Sequence, residues 1–98
     1  YRGSRMIVGV MTAQLSVLVD TATSDEQIIV KSVIGRLKSR FNISISEVDH
    51  QDSKTSAVIA IAIIGNDAQF MDKQLDAIIT FMRNDGRFYL GQVERETF

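Results

Sequence analysis

An α+β sandwich, two helices laid on a four-stranded antiparallel sheet, is the fold class this sequence predicts. Three observations carry it. The runs Met6–Val10 and Ala57–Ile64 are apolar or glycine throughout, as strands covered on both sides should be. Two other segments repeat apolar residues every three or four positions, the spacing of a helix with one buried face. Short polar breaks separate these segments and set the order strand, helix, strand, strand, helix, strand. With right-handed crossovers, the simplest assembly is a ferredoxin-like βαββαβ sandwich. Its first and third strands are central, which accounts for their two apolar faces.

The first strand is expected from Met6 to about Val19, with Met6, Val8, Val10 and Thr12 on one face and Ile7, Gly9, Met11 and Ala13 on the other. Asp20 to Thr23 is a polar connection. Ser24-x-x-Gln27 or Thr23-x-x-Glu26 supplies a capping box, and Asp25 and Glu26 suit the positive end of a helix dipole. The first helix carries the stripe Ile29, Val33, Leu37 and Phe41, with Val30 and Ile34 beside it, and ends at Asn42. Ile43-Ser44-Ile45-Ser46 switches to period-two alternation, the mark of a half-buried strand. Asp49 to Ser53 reads as a hairpin loop, followed by the third strand, Ala57–Ile64. Asn66 is the expected cap of a second helix with the stripe Met71, Leu75, Ile78 and Met82. Gly86 falls where a left-handed helix terminus is wanted. The last strand, Arg87 to about Glu96, contains Gly91, an expected bulge.

Residues 1–5, Tyr1-Arg2-Gly3-Ser4-Arg5, lack periodicity and read as an expression scar or a disordered lead, with Met6 the expected initiator. Residues 6–98 read as a single domain. At 98 residues, with 45% hydrophobic and 23% charged side chains, the composition is that of an ordinary globular protein with one modest core. The chain has no cysteine, which excludes disulfides, thiolate metal sites and thiol nucleophiles and suits a cytoplasmic location. No stretch approaches the ~18 apolar residues that span a bilayer, and no membrane partner is expected. The formal net charge of −1 gives no global attraction to nucleic acid, so such binding needs a local patch.

Val58, Ala60, Ala62 and Ile64 share the face of the third strand that the helices are expected to leave uncovered. A contiguous apolar surface of that kind marks an interface. Self-association as a dimer is the preferred reading, and a C-terminal tail or a long extension of the first strand folded over the face is the alternative. RNA-recognition modules share this topology but stack bases on aromatic residues of the central strands. Valine, isoleucine and alanine stand there instead.

Four cations, Lys31, Arg36, Lys38 and Arg40, lie between Gln27 and Ser46 with no acid among them. They are candidates for phosphate contact. Lys31 and Lys38 fall on one exposed helical line, whereas Arg36 and Arg40 flank the apolar stripe and can lay their stems along it. A solvated face with cations near the helix C-terminus is the plainer explanation. The start of the first helix is a poor anion site, because Asp25 and Glu26 repel phosphate. Asp49-His50-Gln51-Asp52 sets the one histidine beside two carboxylates; without further ligands at metal-binding spacing, it reads as a solvated turn. A nucleophile elbow, a glycine-rich phosphate loop, HExxH and paired buried carboxylates are all lacking, so neither catalysis nor a cofactor is expected.

Several short strings carry a resemblance: Met6-Ile7-Val8-Gly9-Val10, Val30-Lys31-Ser32, Arg36-Leu37 with Arg40-Phe41-Asn42, Ser46-Glu47-Val48, and Asn66-Asp67-Ala68. Together they resemble the YlxP-like family of small bacterial proteins, from Met6 through the final strand. The resemblance implies a ferredoxin-like fold. It also implies a role near RNA or the ribosome, since genes of such proteins commonly sit beside transcription-elongation, translation-initiation and ribosome-maturation factors. Two departures stand out. The family tends to enter its first helix on lysine and arginine, where this chain has Ser24-Asp25-Glu26-Gln27-Ile28. Its hairpin tends to read D-x-W-Q-R-A, where this chain has Asp52-Ser53-Lys54-Thr55-Ser56-Ala57. Both remove groups that could contact RNA.

Overall fold

The structure, a computed structural model, describes residues 6–17, 24–49 and 56–98. Its elements are β1 (Ile7–Val17), α1 (Ser24–Arg40), β2 (Ser44–Asp49), β3 (Ser56–Gly65), α2 (Ala68–Arg83) and β4 (Phe88–Thr97). They form one antiparallel sheet in the order β2-β3-β1-β4. This is the expected ferredoxin-like α+β arrangement, with β1 and β3 central.

Strict alternation decides which side of the sheet is core. Ile7, Met11, Ala13, Leu15 and Val17 of β1 are buried, as are Ala57, Ile59, Ile61 and Ile63 of β3. Onto this row the helices lay Ile29, Val30, Val33 and Leu37 from α1 and Met71, Leu75, Ile78 and Met82 from α2, the residues their spacing singles out. Gly9 lies at a tight contact between sheet and helix. A Cβ there would sit 3.2 Å from Ile63 Cγ1 and 3.4 Å from Met71 Cε, so the missing side chain lets α2 settle onto β1.

The β4 bulge is where Gly91 predicts it. Ala13 pairs with Val93 and Leu15 with Leu90, so one extra residue of β4 is accommodated across Gly91 and Gln92. Two local expectations are corrected. The N-cap of α2 is Asp67, whose carboxylate accepts from the Gln69 and Phe70 amides, and not Asn66; an anion answers the helix dipole better than an amide does. Asp49 ends β2 and does not open the loop, because it stays in register with Val58 past a bulge. The rest of the expected hairpin, His50 to Ser53, lies outside the described residues, as does Thr23 of the expected capping box. No helix among the described residues is long and apolar enough to cross a membrane.

Candidate functional site

Two surfaces remain once the core is closed: the sheet face opposite the helices, and the edge where α1 meets the turn between α2 and β4. On the sheet face, Val8, Val10, Thr12, Gln14 and Ser16 of β1 lie beside Val58, Ala60, Ala62 and Ile64 of β3. The four residues expected on this face are all there, and Ile64 is 67% exposed. The edge strands complete the rows: Ser44, Ala62, Val10 and Glu96 lie abreast, as do Ser46, Ala60, Thr12 and Glu94. Phe98 exchanges backbone hydrogen bonds with Val8 at 2.8 and 3.1 Å. That pairing extends β4 along the sheet edge as far as Phe98. The depressions on this face are shallow and open, one of them bounded by Val8, Ala62 and Ile64 with Asn42 to Ser44. Lysine and arginine are absent from its described rows, and acids stand along β4.

The second surface is built on Asp85. Gly86, at φ +86°, turns the chain so that Arg87 folds back over the preceding aspartate. Arg87 donates from Nε at 2.6 Å and from Nη2 at 2.8 Å, and its backbone N–H donates at 3.2 Å. Arg36 adds a fourth donor at 3.1 Å. Only 1% of the Asp85 side chain is exposed. Hydrogen bonds from Arg87 hold its carboxyl below the ordinary value of 3.8, against the opposing effect of burial. Arg87 also donates to Ser32 Oγ at 3.1 Å, fastening α1 to the start of β4.

Phe81 of α2 meets Phe41 edge-on at 6.2 Å between ring centroids. The guanidinium carbons of Arg36 and Arg40 each lie 5.1 Å from its ring centre, within cation–π range. Of the four candidate phosphate contacts, Arg36 and Arg40 are therefore gathered at one place. Lys31 and Lys38 are exposed on the outer line of α1 and enter no ion pair among the described residues. Two guanidiniums, those of Arg36 and Arg87, converge on one carboxylate, and Arg40 shares the Phe81 ring with Arg36, leaving this edge cationic. The Asp85-Gly86-Arg87 turn is legible in the sequence as an aspartate–glycine turn. Its partners are not, being 49 and 55 residues away in the chain. Among the described residues no three His, Cys, Asp or Glu side chains are grouped to hold a metal.

Residues 8–95 match the family model described as Protein of unknown function (DUF503). The chain belongs to the DUF503 family. It is also 26% identical over 58 residues to the uncharacterized protein YlxP of Bacillus subtilis (strain 168), a match covering 59% of this chain and 63% of that relative's length. The resemblance carried by the short strings is thus a family relationship.

Among solved structures, the DUF503 chain is similar to the de novo designed protein Foldit4, with a TM-score of 0.55 and 11% identity, over 96% of this chain and 97% of that one. A designed protein shares the fold without an inherited function, so this likeness speaks for architecture alone. The cofactor-independent oxygenase SnoaB of Streptomyces nogalater aligns with a TM-score of 0.49 and 12% identity, over 93% of this chain and 90% of that one.

Proposed function

We propose that this DUF503 protein is a non-catalytic cytoplasmic accessory factor that contacts the phosphate backbone of RNA, ribosomal RNA first of all, through the cationic edge of α1. The observation that carries it is the clustering of Arg36 and Arg87 on a single carboxylate, Asp85, with Arg40 beside Arg36 over the Phe81 ring. Beside them Lys31 and Lys38 stand exposed on the same helix. Although the whole chain has a net charge of −1, its charges are segregated: cations line this edge, while Glu94 and Glu96 lie on the far sheet face. Arginines held by a fixed carboxylate and an aromatic ring are preorganised for phosphate, which they grip through paired N–H donors. The sheet face suits RNA poorly, for it offers neither cation nor stacking ring on its central strands.

Binding to purified ribosomal subunits and to a structured ribosomal RNA fragment, across a salt series, tests this. Four phosphate contacts give a log–log salt slope of about −3 to −4. The double variant Lys31→Glu with Lys38→Glu should abolish binding while leaving the circular dichroism spectrum and Tm unchanged, since neither lysine holds the fold together. No binding by the unmodified chain even at low salt, or full binding by the variant, refutes the assignment. Absence of RNA binding would leave the apolar sheet face as the working surface of a protein-interaction module.

A further inference from the structure

We propose that a second copy of this chain covers the open sheet face, related to the first by a two-fold axis running between the sheets and parallel to β1 and β3. The register carries the proposal. A rotation about such an axis keeps each residue at its height along the strands but exchanges left and right, so β4 of one copy lies over β2 of the other. The row Ser44, Ala62, Val10, Glu96 then meets the same row in reverse. Glu96 comes to face Ser44 of the second copy, and small Ala62 faces larger Val10. One row along, Glu94 faces Ser46 and Ala60 faces Thr12. Each row is its own complement, with hydroxyl donors against carboxylate acceptors at the margins and small against large side chains at the centre.

The alternative two-fold axis, lying across the strands, sets β4 over β4. It brings Glu94 and Glu96 of both copies together on a face whose described rows hold no cation, and like charges so placed repel. Size agrees with the first arrangement. Four strands at about 4.8 Å spacing, over about nine residues at ~3.3 Å, present on the order of 500–600 Å² per copy. Twice that clears the ~1,000 Å² total expected of a specific interface. Aligned sheet packing at about −30° and ~10 Å separation suits two twisted sheets meeting in this way. Apolar Val8, Ile64 and Phe98 continue the surface at one end, the last two 67% and 69% exposed in the single chain.

Sedimentation velocity of the full chain between about 1 and 300 µM measures the assembly. A dimer is expected; a monomer throughout overturns the proposal. Ala60→Glu places a carboxylate near the axis and should weaken dimerisation by at least about tenfold; a dimer that persists unchanged puts the interface elsewhere. A charge exchange tests the orientation without disturbing the centre. Ser44→Asp with Ser46→Asp should dissociate the dimer, and adding Glu94→Lys with Glu96→Lys should restore it. Restoration requires β2 to face β4, so failure to restore overturns the two-fold arrangement. Circular dichroism on each variant confirms folding. None of these substitutions touches α1, so the outcome is independent of RNA binding.

Discussion

β1 and β3 each carry two rows of side chains, and the rows meet opposite fates. Ile59, Ile61 and Ile63 face the helices and are almost wholly buried, whereas Val58, Ala60 and Ala62, each one position away, remain half-exposed. Both rows are apolar, but they differ in bulk. The helix-facing row of β3 is mostly isoleucine, which fills the space beneath two helices, while the outer row is rich in alanine and short side chains. A row that must pack against rounded helices needs bulk. A row of small residues permits the close approach of another flat surface.

Substitutions on the two faces should sharpen this contrast. The largest effect is expected at Ile61→Ala, a cavity in the fully buried row, with a loss of about 2–5 kcal/mol in denaturant unfolding. A loss below about 1 kcal/mol would mean that the helices do not seal this face.

Asp85→Asn comes next. It weakens charged hydrogen bonds to Arg87 and Arg36 at a buried position and should cost about 1–3 kcal/mol at pH 7. The sign with pH is fixed by the lowered carboxyl pKa. The unfolded group binds protons more readily than the folded one, so the carboxylate stabilises the fold above its ordinary 3.8. That contribution disappears as pH falls below 3.8 and through the lower folded value. Unfolding curves of the unmodified chain and Asp85→Asn should therefore converge in acid; a constant separation from pH 7 to pH 2 would contradict the ion pair.

Gly9→Ala should cost about 1 kcal/mol in thermal or chemical unfolding. The new methyl group crowds Ile63 and Met71, and the reduced freedom of the unfolded chain offsets part of that. A stabilised variant would show that α2 can move away from β1 at no cost.

The smallest effect belongs to the open face. Ala62→Ser should change the stability of the single chain, measured at low concentration, by no more than about 0.5 kcal/mol. A loss near that of Ile61→Ala would mean the face is already covered within one chain.

Most of the architecture was legible because it follows from periodicity. Two-residue alternation around Ile45, the unbroken apolar run around Ile61 and three-to-four spacing through Val33 and Leu75 each leave apolar surface to bury, and only a few layered assemblies bury it. The bulge at Gly91 and the positive φ of Gly86 were legible for the same local reason. Local terminus chemistry is less legible. Asn66 and Asp67 are both capping residues, and choosing between them depends on where α2 starts its first turn over the sheet.

The sequence by itself determined the element order, the core row and the apolar character of the outer row, because these depend on spacing along one chain. Only the tertiary structure decided that Arg36 and Arg40 share the ring of Phe81, that Asp85 gathers Arg36 and Arg87, and that Ser44 lies abreast of Glu96. Those are contacts between segments far apart in the chain. No local pattern encodes them, since the register of the sheet and the tilt of each helix are set by the packing of the whole core.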